Sequence, residues 1–164
     1  MAEELTNPVV LVALAALLGV ALTGGGLYAF STFIMSALAR MPDAQGARAM
    51  QHINKTVFTP WFIGPFFVTA PLSIAAIVMG VLNTDQPWAL SLIAAGALYL
   101  IGVFAATVIG NVPLNEKLDH MDAGAPETAE FWRRYLRVWT RWNHVRSAAS
   151  ALSILFFAYS LVHL

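Results

Sequence analysis

The chain has 164 residues, of which 59% are apolar and 11% charged, with no net charge and no cysteine. An ordinary soluble domain carries about 25% charged residues, so this composition excludes a soluble globular domain, a disordered chain and a nucleic-acid binder. Without cysteine there is no disulfide framework, thiolate nucleophile or zinc knuckle.

The charges are unevenly spread. Uncharged windows of 35, 29, 30 and 18 residues separate Glu4 from Arg40, Lys55 from Asp85, Asp85 from Glu116, and Arg146 from the chain end. A helix needs about 20 mostly apolar residues to cross the hydrocarbon, so the windows predict an all-α, four-helix antiparallel transmembrane bundle. Its spans fall at about 8–39, 60–82, 87–111 and 143–163, in a single integral membrane domain. Glu3-Glu4 and the length of the first apolar run argue against a cleaved signal, so the first span is expected to stay in the mature protein.

Span one is roughly 48 Å long as a helix and must tilt or protrude. Gly24-Gly25-Gly26 lies within it, which points to close approach of a neighbouring helix or of a ligand; packing is the commoner reason. The first connection carries a short helix. Span two holds Pro60, Pro65 and Pro71, whose freed carbonyls neighbouring helices can satisfy. Asn83 to Pro87 is a turn. On span three Gly102, Ala106 and Gly110 form a small-residue stripe for helix contact. Pro126, Glu127 and Glu130 open an amphipathic helix that runs directly into span four, with Phe131, Tyr135, Val138 and Trp142 on one face and Arg133, Arg137 and Arg141 on another.

All nine cations lie in the first and third connections or at the start of span four, whereas Glu3, Glu4 and Asp85 mark the opposite side. The positive-inside rule then puts both termini outside and both longer connections in the cytoplasm.

The spans deliver their polar residues to one depth, the cytoplasmic interface: Asn54, Asn111, Asn115, and the stretch from Trp139 to Arg146. Asn111 and Asn115 share a helix face if the helix persists through Pro113, where a kink is expected. They either cap a broken turn or converge on a bound polar group. Trp139, Asn143 and Arg146 share one side of span four, and His144 lies about 100° away from Asn143. A lone interfacial histidine is commonly just solvated, and so are His52, His120 and His163 on their polar settings. His144 and His163 are too far apart along one helix to bracket a haem. No paired Glu-x-x-His motifs suit a di-iron site, no carboxylate inside a span suits proton-coupled transport, and no glycine-rich phosphate loop is present.

Four segments resemble the anthrone-oxygenase-like family of small membrane proteins. They are Gly26-Leu27-Tyr28-Ala29-Phe30-Ser31, Met50-Gln51-His52-Ile53-Asn54, Asn111-Val112-Pro113-Leu114-Asn115, and Trp139 with Trp142, Asn143, His144 and Arg146. Ser36 stands where such proteins are expected to carry proline. The resemblance implies a membrane-embedded oxygenase, in the bacterial inner membrane, that oxidises a small anthrone-like or phenolic aromatic with O2 and without a metal or organic cofactor. On that reading His144 is the general base, since imidazole titrates near neutrality. Asn111, Asn115, Asn143 and Arg146 hold the developing oxyanion. Asn54, Tyr28, Trp61, Trp139 and Trp142 hold the flat substrate. The alternative is a non-catalytic carrier or accessory subunit with a ligand pocket at the cytoplasmic interface. The expected partners are the lipid bilayer and a small hydrophobic aromatic; the sequence leaves a homo-oligomer open.

Overall fold

The computed structural model describes residues 7–164 and contains no strand among them. It has five helices: α1 Pro8–Leu38, α2 Asp43–Thr56, α3 Pro60–Leu82, α4 Ala89–Asp119 and α5 Pro126–His163. Four of them, α1, α3, α4 and α5, are long and apolar enough to cross a membrane. Glu3 and Glu4, which entered the charge argument, lie outside the described residues.

Three of the four long helices, α1, α3 and α5, start where the sequence supplies a start signal. Asn7 accepts the Val9 amide at 2.9 Å ahead of Pro8, and Thr59-Pro60 and Ala125-Pro126 put extended backbone before a first-turn proline. The first two spans match the expected bounds within a residue. The third is longer than expected, because α4 continues past Pro113 to Asp119, and the amphipathic segment runs into span four as expected, in one 38-residue helix. The kink expected at Pro113 takes another form. Ahead of it, Thr107–Asn111 closes its hydrogen bonds five residues back rather than four, as does Leu98–Ala105. The nearer of the two, Thr107–Asn111, makes room for a proline ring that would otherwise clash with the carbonyl one turn earlier.

Small residues set how closely the helices meet. A Cβ on Gly24 would strike Ser150 of α5, and one on Gly26 would strike Phe62 of α3, while Gly25 faces open space. The triple glycine is therefore a packing device between three helices. Gly102 lies against Ala149 and Gly110 against the Trp142 ring, so the stripe on α4 is the α4–α5 seam. Residues four apart on an α-helix drift by about 40° per step; the widened turns take up that drift and keep the stripe facing α5. The Ser91–Ser160 bond near one end of this seam and the Gly110–Trp142 contact near the other show that α4 and α5 run in opposite directions.

Two apolar cores result. One fills the long-helix bundle around Val20, Phe66, Leu92, Tyr99 and Phe157. The second lies where α2 packs against the end of α4 and the start of α5, around Met50, Leu118, Trp132 and Tyr135. α2 is tied there by Gln51, which donates to the carbonyls of Leu118 and Met121, both at 2.8 Å. On the outside, Leu18, Leu22, Val78, Ile101 and Leu155 are exposed along the helices. An apolar girdle of that extent is the surface a bilayer covers.

Candidate functional site

The inward stripe of α5 builds one wall of a cavity at the junction of the two cores. Tyr135, Trp139, Asn143, Arg146 and Ser150 recur at steps of three and four and are all buried. This is the face a 3.6-residue period presents to a core. The cavity holds about 190 Å³ and draws its lining from all five helices. Leu27, Phe62, Phe66 and Phe104 come from the bundle, Met50 and Ile53 from α2, and Trp139 from α5. Its polar lining is Thr23, Asn54, Thr107, Asn115 and Arg146.

Arg146 is only 5% exposed. Its Nη2 donates to Asn143 Oδ1 at 2.6 Å and its Nη1 to Thr107 Oγ1 at 3.1 Å. The guanidinium lies 5.2 Å from the Trp139 ring centroid, within cation–π range. Both hydrogen-bond partners are neutral, and among the described residues no carboxylate pairs with this cation. Its Nε is buried without a partner, as is the hydroxyl of Thr23 across the cavity lining. A buried charge normally finds a counter-charge, and buried polar atoms normally find a bond. Here both deficits fall on cavity-lining residues.

The other amides are structural neighbours of this centre. Asn143 donates to the Leu27 carbonyl and to Ser31 Oγ, each at 2.7 Å, and so fixes α5 to α1. Asn115 Oδ1 accepts from Tyr135 Oη and Trp139 Nε1, each at 2.8 Å. Asn111 donates to the Trp139 carbonyl at 3.2 Å, and its own oxygen is buried without a partner. Asn54 donates to Asp119 Oδ1 at 3.0 Å. Thus Asn54, Asn115, Trp139 and Arg146 line the cavity, while Asn111 and Asn143 are buried just behind it.

Four expected site residues lie elsewhere. His144 is exposed, because the step of one residue from Asn143 turns it to the outer face of α5. Trp61 is 91% exposed, and its neighbour Phe62 takes the inward position. Tyr28 points outward for the same reason beside the inward Leu27. Trp142 packs over Gly110 on the seam and does not reach the cavity. Sequence reasoning missed Thr107, Phe62 and Phe66. The i, i+4 pair of phenylalanines on a proline-rich span was the available signal for the last two. Thr107 offered none, since its role depends on the widened turn that carries it.

Among the described residues no three His, Cys, Asp or Glu side chains are grouped as a metal site requires.

The fold and cavity together define a helical protein of membrane type with a buried, mainly apolar cavity. The model of the family described as anthrone oxygenase matches residues 56–156, which run from the end of α2 into the second half of α5. The chain belongs to the anthrone oxygenase family. No curated protein and no solved structure matches it. The matched stretch contains Thr107, Asn111, Asn115, Trp139, Asn143 and Arg146, whereas the motifs on α1 and α2 lie outside it.

Proposed function

We propose that the chain is a membrane-embedded oxygenase that oxidises a small, flat, enolisable aromatic, anthrone-like or phenolic, with O2. The observation that carries this reading is Arg146, a buried guanidinium without a carboxylate partner in the wall of an apolar cavity. An apolar cavity of about 150 Å³ accepts a benzene ring, so a chamber of about 190 Å³ suits one substituted ring, and the further rings of an anthrone would extend past the exposed lining residues Phe58, Phe67 and Val108.

Arg146 would meet the substrate's oxygen and favour its enolate, with the lost proton passing to solvent. Positive charge aimed at a developing oxyanion in a dry site is the strongest common form of catalytic stabilisation. The electron-rich ring carbon then gives electrons to O2. In the net change a ring methylene and one O2 become a ring carbonyl and one water. One oxygen atom enters the new carbonyl, and the other leaves with the two methylene hydrogens. Asn143 and Thr107 hold the guanidinium's orientation, and Trp139 and Phe66 flank the ring.

The membrane placement belongs to the same proposal. α1, α3, α4 and α5 span the bilayer with both termini outside. Arg40, Arg48, Lys55, Lys117 and the arginines of early α5 face the cytoplasm. The grouping of every Lys and Arg at the α2 end of the molecule supports this orientation. The cavity then sits near the inner interface.

The cavity lining contains no carboxylate or imidazole. That favours, as a second reading, a protein that binds such an aromatic without transforming it. One assay separates the two. Purified protein is mixed with an anthrone under labelled O2, with and without chelator, while oxygen uptake and product mass are followed. The oxygenase reading expects one labelled oxygen in the product and a loss on the order of 10² in rate for Arg146→Met. Uptake no faster than the uncatalysed reaction overturns it. Loss of activity on chelation, restored by one metal, overturns a metal-free route.

A further inference from the structure

The lining residues fall into two groups by exposure. Thr23, Asn54 and Arg146 are buried, whereas Phe58, Phe67 and Val108 also line the cavity and are 74%, 53% and 50% exposed. The exposed three belong to the first turns of α3 and their approach, and to the widened turn of α4. Adjacent residues divide between the two environments. Phe66 is buried and Phe67 exposed; Thr107 bonds Arg146 while Val108 faces out. Phe104 stacks on Phe66 at 5.2 Å and meets Phe67 edge-on at 5.9 Å, closing the gap above. Below, α2 closes it: Met50 and Asn54 are buried, Asn54 is bonded to Asp119, and Gln51 is bonded to two carbonyls at the end of α4.

We propose that the cavity is loaded sideways from the bilayer, through a mouth between α3 and α4 rimmed by Phe58, Phe67 and Val108, by a flat lipophile that enters with its acidic oxygen leading towards Arg146. The rim is wholly apolar, so a hydrated or multiply charged solute would lose its water there without compensation. A membrane-dissolved aromatic loses nothing at the rim, and its single oxygen finds the unpartnered polar atoms of the buried lining. The class of ligand is thus a bilayer-partitioning weak acid. This inference rests on the cavity being the ligand site named above, and not on oxygenation.

The absence of cysteine from the chain makes the test clean. Met50→Cys and, independently, Leu27→Cys place one thiol in the cavity wall from two different helices. Each variant is reconstituted in sealed vesicles and in vesicles opened to expose both faces. Labelling by uncharged N-phenylmaleimide is compared with labelling by a charged, membrane-impermeant methanethiosulfonate. The expected result is labelling by the uncharged reagent alone, slowed at least tenfold when Val108→Trp fills the mouth. Labelling by the charged reagent at a comparable rate from either aqueous face overturns the lateral route, as does an unchanged rate with Val108→Trp. The readout needs no turnover, so a failed oxygen-uptake assay would leave it standing.

Discussion

Asn143 and Arg146, one turn apart on α5, share a 2.6 Å hydrogen bond that sets the direction of the guanidinium. The same Asn143 grips α1 through the Leu27 carbonyl and Ser31. The position of Arg146, the only buried cation among the described residues, is therefore referred to a second helix rather than to its own flexible stem. That arrangement aims a charge without neutralising it.

Replacing this amide by an acid should expose the distinction. Asn143→Asp keeps the acceptor oxygen and adds a counter-charge beside Arg146, but gives up the donor to the Leu27 carbonyl. Affinity for an aromatic acid should fall by at least about tenfold, which is about 1.4 kcal/mol, more than for an uncharged aromatic of the same shape. The uncharged ligand reports only the loosened contact with α1. Fluorescence titration of such a pair in detergent or nanodiscs checks it; equal losses for both ligands would point to a collapsed cavity instead.

His144→Ala should leave rate and stability nearly untouched, because the side chain is exposed and has no hydrogen-bond partner in the fold. Exposed substitutions usually stay within about 0.5 kcal/mol. The sequence motif alone suggests the opposite, a loss of about a hundredfold on removing a base. Oxygen-uptake rates of the variant and the parent decide between them.

Two glycine substitutions should act in opposite senses. Gly102→Ala drives a methyl into Ala149, a backbone-held group that cannot rotate away, and should cost about 1–3 kcal/mol. Gly25→Ala meets nothing and should stabilise α1 by roughly 0.5–1 kcal/mol. Thermal unfolding in a single detergent compares the two.

Reporter fusions at Asp85 and Gly124 should lie on opposite sides of the membrane, with Gly124 cytoplasmic. Two cytoplasmic signals would contradict the proposed orientation.

Helix number and the seams between helices were legible in the sequence, because uncharged windows and small-residue stripes reflect bilayer thickness and backbone approach directly. The α5 stripe was legible too: placing Trp139, Asn143 and Arg146 on one side needs only the helical period. The rest of the site depended on which of two neighbouring large side chains turns inward, Trp61 or Phe62, Tyr28 or Leu27. Within an apolar span either choice buries a similar surface, so composition carries no preference. Only tertiary packing decides it, as where the Phe62 ring lies over Gly26 of α1. The outward position of His144 was not legible from the motif, which groups residues by sequence proximity, whereas one step along a helix separates two faces.

The widened turns of α4 also decide where its length is fixed. Thr107–Asn111 holds one residue more than an ordinary turn, so excising a residue there would let that stretch close to ordinary helix with the register beyond it kept. Excising one from the ordinary helix at 112–114 would swing everything beyond it by about 100°, carrying Asn115 away from Tyr135 and Trp139. The Gln51 tether of α2 to Leu118 would be dragged round as well. The Asn83–Trp88 turn has no such duty at the cavity and can absorb a deletion. One residue more or less thus means nothing at one end of α4, and at the other it decides whether the chamber has a floor.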